Sequence, residues 1–347
     1  VETTHEVTVG DARSMDGLAD DSVELVVTSP PYPMIEMWDE SFAALDPDVE
    51  SALAEGDGDR AFDLMHGVLE DVWAEVARVL APGGIACVNV GDATRSIGGR
   101  FQCFPNNVRV TETFRDLGFH PLPDVLWRKP TNKASKFMGS GMLPPNAYVT
   151  LEHEYVLVFR NGDSRSFEPK ADRRYESAYF WEERNEWFSD VWTDVRGRDQ
   201  SLDAAGDPDR RERSGAFPLT IPYRLINMYS VYGDTVLDPF WGTGTTTAAA
   251  MASARNSVGY ELSEAFVEAF DEYVDELPEH SRSVTERRLT DHREFVAEER
   301  ADGGSFGYDA ENYDVPVRTK QERSLQLYSM SGIRRTETGY AATHEPY

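Results

Sequence analysis

The stretch Val23-Glu24-Leu25-Val26-Val27-Thr28-Ser29-Pro30-Pro31-Tyr32 decides the class of fold. Its first half is an apolar run of strand length and reads as a buried strand. Its second half cannot continue that strand, because neither proline has a backbone N–H to give to a ladder. The chain must leave the sheet at the strand's carboxyl end, in a stiff turn. Open α/β sheets place their ligands at that edge. The turn brings a hydroxyl, carbonyl acceptors and an aromatic plate, a set that suits a flat heterocycle carrying an amino group. Taken alone, it also fits a proline-stiffened structural loop.

Outward from this strand the pattern alternates. Val7-Thr8-Val9 with Gly10-Asp11 reads as a short strand and turn, and residues 36–60 as an inserted loop or short helices. From Phe62 to Leu80 the apolar residues fall on one helical face: Met65, Leu69, Val72, Trp73, Val76 and Leu80. Ala81-Pro82-Gly83-Gly84 stops that helix. A buried strand over 85–90, a helix over 105–117 and strands over 125–127 and 155–159 are expected next. The regular pattern resumes at Phe217. There follow a strand over 235–238, a helix from Thr245, a strand over 257–261 and an acidic helix over 264–277. Beyond Glu279 the chain is charged and poor in core pattern. Strands alternating with helices predict an α/β fold.

A second motif lies between one of those strands and the helix after it: Asp238-Pro239-Phe240-Trp241-Gly242-Thr243-Gly244-Thr245-Thr246-Thr247. That is the context a nucleotide-type Gly loop requires. The glycines permit a tight turn and close backbone approach. No Gly-Lys-Ser/Thr follows, which excludes a Walker loop. Glu261 ends the next strand, where an acid can accept both ribose hydroxyls of an adenosine. Asp11 offers a second carboxylate, for an exocyclic amine, although Gly-Asp turns are commonly structural.

The 347 residues carry 62 acidic against 34 basic side chains, a net charge of −28, and only five lysines. The acids are scattered through periodic segments, which argues against an acidic tail. A folded chain of this composition reads as adapted to molar salt, where the Debye length is roughly 3 Å. Two cysteines, Cys87 and Cys103, give neither a disulfide framework nor metal-ligand spacing. No metal is expected. With no long apolar run and no signal-like N-terminus, a cytoplasmic protein with no membrane partner is expected.

The Ser-Pro-Pro-Tyr turn, the Phe-x-Gly-x-Gly loop and the strand-end Glu261 together resemble the amino-group DNA methyltransferases, which methylate adenine N6 or cytosine N4. The turn precedes the Gly loop, the order of their permuted β group. The resemblance runs from Val7 to about Leu262 and includes Leu80–Gly84 and Glu152–Phe159. Where the family usually carries His-Pro-Ala, this chain has Ser214-Gly215-Ala216. The resemblance implies a Rossmann-like S-adenosyl-L-methionine-dependent fold: a mixed, mostly parallel sheet with helices on both faces, a circularly permuted motif order and an irregular target-recognition insertion. It implies a catalytic and cofactor domain over 1–127, 147–160 and 217–280. A basic DNA-contacting loop is expected over 128–146, a target-recognition region over 161–216 and a charged C-terminal extension over 281–347.

The implied site residues follow. Asp11, Phe217, Pro218, Asp238, Phe240, Gly242, Gly244 and Glu261 would surround the cofactor, with Asp238 either facing its amino group or only anchoring the loop. Ser29, Pro30, Pro31 and Tyr32 would take a flipped-out base. Tyr32 would stack on it, while the Ser29 hydroxyl and the Pro30 carbonyl accept its amine protons. Ser at the first motif position favours cytosine N4 over adenine N6, and Thr28–Asp39 resembles archaeal enzymes that modify CTAG. C5 chemistry lacks its Pro-Cys nucleophile here. Arg128, Lys129, Lys133 and Lys136 are the expected DNA contacts. Duplex DNA is the expected partner, with a cognate restriction endonuclease and a second copy of the chain as further candidates.

Overall fold

The computed structural model describes residues 1–129, 144–145, 148–195 and 217–347. Its strands, in chain order, are β1 (Glu2–Val9), β2 (Val23–Thr28), β3 (Leu80–Val90), β4 (Ala93–Ile97), β5 (Arg100–Phe104), β6 (His120–Pro121), β7 (Val125–Arg128) and β8 (His153–Arg160). They continue as β9 (Val191–Trp192), β10 (Thr235–Asp238), β11 (Asn256–Glu261), β12 (Tyr308–Asp309), β13 (Pro316–Val317), β14 (Tyr328–Arg335) and β15 (Gly339–Pro346). One large sheet runs β14-β15-β1-β11-β10-β2-β3-β8-β7-β9, with β6 also on β8. Its five central strands, β1-β11-β10-β2-β3, are parallel. Both faces are covered, which is why β2 is apolar without alternation. Leu25 and Val27 enter one core and Val26 the other. Cys87 of β3 is buried in the core that holds Leu25, and burial pushes its thiol pKa up.

The helix Gly58–Val79 covers one face and buries Met65, Leu69, Val72, Trp73 and Val76, as the spacing predicts, while Leu80, expected on the same face, begins β3. Each large side chain of this kind contributes roughly 1.5–3 kcal/mol on burial. Asp57 caps its N-terminus by accepting from Arg60 N at 3.0 Å. The helices Thr220–Tyr229 and Thr245–Ala252 bury residues in the core on the other face. The inserted segment 36–60 forms short helices, Asp39–Leu45 and Asp48–Glu55, after a 3₁₀ turn.

Two expectations change. The acidic helix ends at Tyr273, and a 3₁₀ turn over Val274–Glu276 leads into a 25-residue helix, Leu277–Ala301. Residues 281–347, expected as a charged extension, include two strands of the large sheet, β14 and β15. β15 pairs antiparallel with β1, from Glu2 opposite Thr343 to Glu6 opposite Gly339, and β14 pairs with β15. The buried stripe of the long helix includes Ser281, Thr285 and His292 beside Leu277, Leu289 and Val296. Those polar groups are satisfied locally: Ser281 Oγ accepts from Met330 N at 3.0 Å, and Thr285 Oγ1 donates to Tyr328 O at 3.2 Å. A half-polar inner face carries little hydrophobic period.

The outcome is a set of strand ends at one edge of the sheet. Ser29 follows β2, Pro239 follows β10, Glu261 ends β11 and Gly10 follows β1. β3 runs antiparallel to β8 with Asn89 opposite Val156, so Glu154, near the start of β8, reaches the same edge.

Candidate active site

β2 and β10 are neighbours in register, Leu25 opposite Val236 and Val26 opposite Leu237. Two motifs far apart in the chain therefore emerge side by side. Thr28 Oγ1 donates to Asp238 Oδ1 at 2.7 Å, and Phe240 N donates to the same oxygen at 3.1 Å. Asp238 is buried, and burial raises its carboxyl from 3.8 to about 6. It anchors the two turns from beneath and is not among the residues lining the cavity above them.

That cavity holds about 480 Å³, within the range of small-molecule sites. Ser29, Pro30, Pro31 and Tyr32 line it, as do Gly10, Asp11, Phe240, Gly242 and Glu261. Trp38, Phe42, Leu69 and Val72 supply an apolar wall from the helical insertion and the helix Gly58–Val79. Glu261 Oε2 accepts from Gly242 N at 2.8 Å and Oε1 from Ser263 N at 2.9 Å, so its carboxylate is fixed at the cavity wall. Burial pushes its pKa up. Gly242 sits at φ +54°, and a Cβ there would meet nothing nearer than Phe240 O at 3.8 Å, so a ligand can approach the backbone. Gly244, at φ +75°, has another role. A Cβ there would lie 2.3 Å from Phe270 Cδ2 and 2.7 Å from Trp241 Cζ2. Its glycine lets the loop pack on the core.

Asp11 is held by Arg13, whose Nη2 donates to Oδ2 at 2.7 Å, and this bond lowers the Asp11 pKa. Phe217 and Pro218 are buried at the start of the helix Thr220–Tyr229 and do not line the cavity. Lys133 and Lys136 lie outside the described residues. Arg128 is exposed and pairs with Glu152 at 3.3 Å. Lys129, expected to contact DNA, lines the cavity and pairs with Glu154. Arg165, Arg174, Tyr175, Tyr179 and Trp181, from the expected target-recognition region, line a separate opening of about 640 Å³. Glu24 and Ile85, near the amino ends of β2 and the apolar run of β3, share its wall. Those five residues thus lie at the edge away from Ser29.

Sequence reading missed the group around the Tyr32 hydroxyl. Tyr32 donates to Glu154 Oε2 at 2.9 Å, and Asn89 Nδ2 lies 2.8 Å from Tyr32 Oη and 2.7 Å from Glu154 Oε2. Ser29 Oγ is 3.1 Å from Tyr32 Oη. Burial, reinforced by Glu154, raises the Tyr32 pKa well above its ordinary value, which keeps the hydroxyl protonated. Gly91 lies against this ring: a Cβ there would stand 3.1 Å from Tyr32 Cε2 and 3.2 Å from Glu154 Cγ. Asn89 could have been found as the polar residue interrupting the apolar run Ile85–Val90.

Among the described residues no cluster has the makeup of a metal site, and no helix is long and apolar enough to cross a membrane. The cavity suits S-adenosyl-L-methionine on its donor set: an oriented acid, a Gly backbone bare of side chain and an apolar wall are groups that a ribose, a polar chain and an adenine call for.

Comparison with known proteins agrees. The family model described as DNA methylase, of the N6/N4 type, matches residues 23–272. The chain is 51% identical over 331 residues to the Type II methyltransferase M.MthZI of Methanothermobacter thermautotrophicus, covering 94% of this chain and 91% of that one. It is 50% identical over 285 residues to the Type II methyltransferase M.MjaI of Methanocaldococcus jannaschii, covering 79% and 92%. The structure of TTHA0409 from Thermus thermophilus, complexed with S-adenosyl-L-methionine, superposes with a TM-score of 0.57 at 31% identity, over 78% of this chain and 94% of that one. The cytosine-N4-specific PvuII DNA methyltransferase shares the fold, at 19% identity, 78% and 86% coverage and a TM-score of 0.52. This chain belongs to the N6/N4 DNA methylase family: it is a site-specific DNA methyltransferase that uses S-adenosyl-L-methionine.

Proposed function

We propose that this enzyme methylates the exocyclic N4 amine of cytosine within a short duplex site, CTAG. The observation that carries the reading is the neutral Ser29 hydroxyl beside Tyr32, in one cavity with Gly242 and Glu261. When bound, S-adenosyl-L-methionine supplies the electrophilic methyl group. Glu261 and the Gly242 backbone would hold its ribose and chain, with Phe240 and Asp11 at the flanks. A duplex base must be flipped out to enter, at a cost of a few kcal/mol. Stacking on Tyr32 offsets part of it, at roughly 1–3 kcal/mol per base. The amine is a weak nucleophile because its lone pair is conjugated with the ring. Ser29 Oγ and the Pro30 carbonyl would accept its two N–H bonds and favour a more tetrahedral nitrogen, stabilising charge as it develops. Positioning supplies much of the rest.

CTAG rests on the likeness of Thr28–Asp39 to archaeal CTAG enzymes. DNA would lie across the carboxyl edge, with the segment after Lys129 as its basic contact. A cognate endonuclease is the natural partner of a Type II activity.

The test incubates the enzyme, labelled S-adenosyl-L-methionine and defined duplexes at several salt concentrations, then identifies the modified nucleoside by mass spectrometry. N4-methylcytosine in CTAG duplexes is expected. N6-methyladenine would move the assignment to the other amine of this family. No incorporation into any DNA would overturn the reading.

A further inference from the structure

Ser29 from the turn after β2, Asn89 from β3 and Glu154 from β8 converge on one hydroxyl, that of Tyr32. Their hydrogen bonds have a forced direction. Asn89 Nδ2 has only protons to give, so both Glu154 Oε2 and Tyr32 Oη accept from it, at 2.7 and 2.8 Å. The single Tyr32 proton points to Glu154 Oε2 at 2.9 Å. The 3.1 Å contact between Ser29 and Tyr32 therefore runs from the serine hydroxyl to the tyrosine oxygen. Asn89 Nδ2 also lies 3.5 Å from Ser29 Oγ, at the limit of a hydrogen bond, which leaves a lone pair of Ser29 Oγ for a donor in the cavity that Ser29 lines.

We propose that these groups form a proton relay ending on Glu154, which takes up the proton that the methylated amine must lose. The proposal rests on the methyltransferase reading above. As the methyl carbon bonds to the amine nitrogen, the sulfonium S–C bond breaks and its electron pair stays on sulfur. The nitrogen then carries a positive charge and two protons. One N–H bond breaks toward Ser29 Oγ, Ser29 passes its own proton to Tyr32 Oη, and Tyr32 passes its proton to Glu154 Oε2. The positive charge that began on sulfur ends by neutralising the carboxylate.

Asn89 holds the acceptor geometry, because its amide protons keep Tyr32 Oη and Glu154 Oε2 as acceptors. Lys129 pairs with the other carboxylate oxygen, Oε1, and lies 4.8 Å from the centre of the Trp127 ring. The Glu154 side chain is 11% exposed and that of Lys129 43%, so the relay starts inside the cavity and ends beside a group that reaches solvent. Tyr32 and Lys129 are the titratable groups that contact Glu154 among the described residues. Glu154 acts through Tyr32 and Ser29 and is in this sense a positioning residue for the proton.

The test compares wild type, Glu154→Gln, Glu154→Asp, Tyr32→Phe and the double variant Tyr32→Phe/Glu154→Gln. Three quantities are measured: the single-turnover rate against pH, the affinity for S-adenosyl-L-methionine, and the fluorescence of 2-aminopurine at the target position of a duplex that wild type methylates. Glu154→Gln and Tyr32→Phe should each slow the single-turnover rate about 100-fold, and the double variant should be no slower than either. Glu154→Asp, which keeps a carboxylate, should restore most of the rate that Glu154→Gln loses. Cofactor affinity and the flipped-base signal should match wild type throughout. A Glu154→Gln rate equal to wild type would overturn the relay. So would a rate loss matched by an equal loss of base flipping or cofactor affinity, which would make Glu154 only a support for the ring. A wild-type enzyme that methylates no duplex would overturn the functional reading instead, before any variant is compared.

Discussion

Single residues carry the site through contacts that residue type alone does not reveal. Gly91 is the sharpest case, because its missing Cβ makes room for Tyr32 and Glu154. Gly91→Ala should lower kcat on the order of ten-fold by shifting the Tyr32 ring, with little change in cofactor affinity; steady-state kinetics and calorimetry check both halves. Gly244→Ala places a methyl 2.3 Å from Phe270 at a left-handed φ. It should destabilise the fold by more than about 3 kcal/mol, measured by denaturant unfolding. Asp238 makes a pH prediction. Its folded pKa, about 6, lies above the ordinary 3.8. Below pH 4 both states are protonated and nothing is lost. Between pH 4 and 6 the unfolded chain has released a proton that the folded one keeps, so stability falls as pH rises. Above pH 6 the cost is constant, at most about 3 kcal/mol. Asp238→Asn keeps an oxygen for Thr28 and Phe240 and carries no charge. Its stability relative to wild type should rise from pH 4.5 to pH 8, and an equal difference at both values would disprove the buried-carboxylate account.

At the scale of elements, the central strands β2 and β3 were legible because a doubly covered parallel sheet favours apolar runs, and both have them. The helix Gly58–Val79 was legible because its buried residues keep the helical period. The C-terminal elements were not. The long helix buries Ser281, Thr285 and His292, and the hairpin β14–β15 takes its place through backbone pairing with β1. Backbone hydrogen bonds leave no mark on side-chain composition. Truncation after Ala301 should expose the β1 edge and remove Met330, Tyr340 and Ala342 from the core. The shortened protein should unfold at least 10 °C lower or fail to stay soluble, as thermal melting would report. Asn89 and Glu154 were overlooked for a related reason. Each is one polar residue in or beside an apolar strand, and only the antiparallel pairing of β3 with β8 brings them together.

Across the whole molecule, the net charge of −28 sets the conditions under which the fold is stable. Acidic side chains outnumber basic ones 62 to 34, and self-repulsion among them is largely screened when the Debye length falls to a few ångströms. The melting temperature should rise steadily between 0.1 and 2 M KCl; a flat profile would remove the case for salt adaptation. Salt at that level also suppresses counterion release as a source of DNA affinity, which shifts recognition toward base-edge contacts and stacking. The sequence by itself determined the α/β class, the two ligand-bearing turns and, through their order, the group to which the chain is similar. These are local properties: strand runs, prolines that end them and glycines that turn the chain. Tertiary structure alone decided that β2 lies beside β10, so that Ser29 and Gly242 share one cavity. It also decided that Asp238 accepts from Thr28 and Phe240, that Gly244 lies against Phe270, and that Glu154 meets the Tyr32 hydroxyl. The reason is physical: sheet order and strand register are set by burying both faces of the sheet at once, a condition on the whole chain that no single segment records.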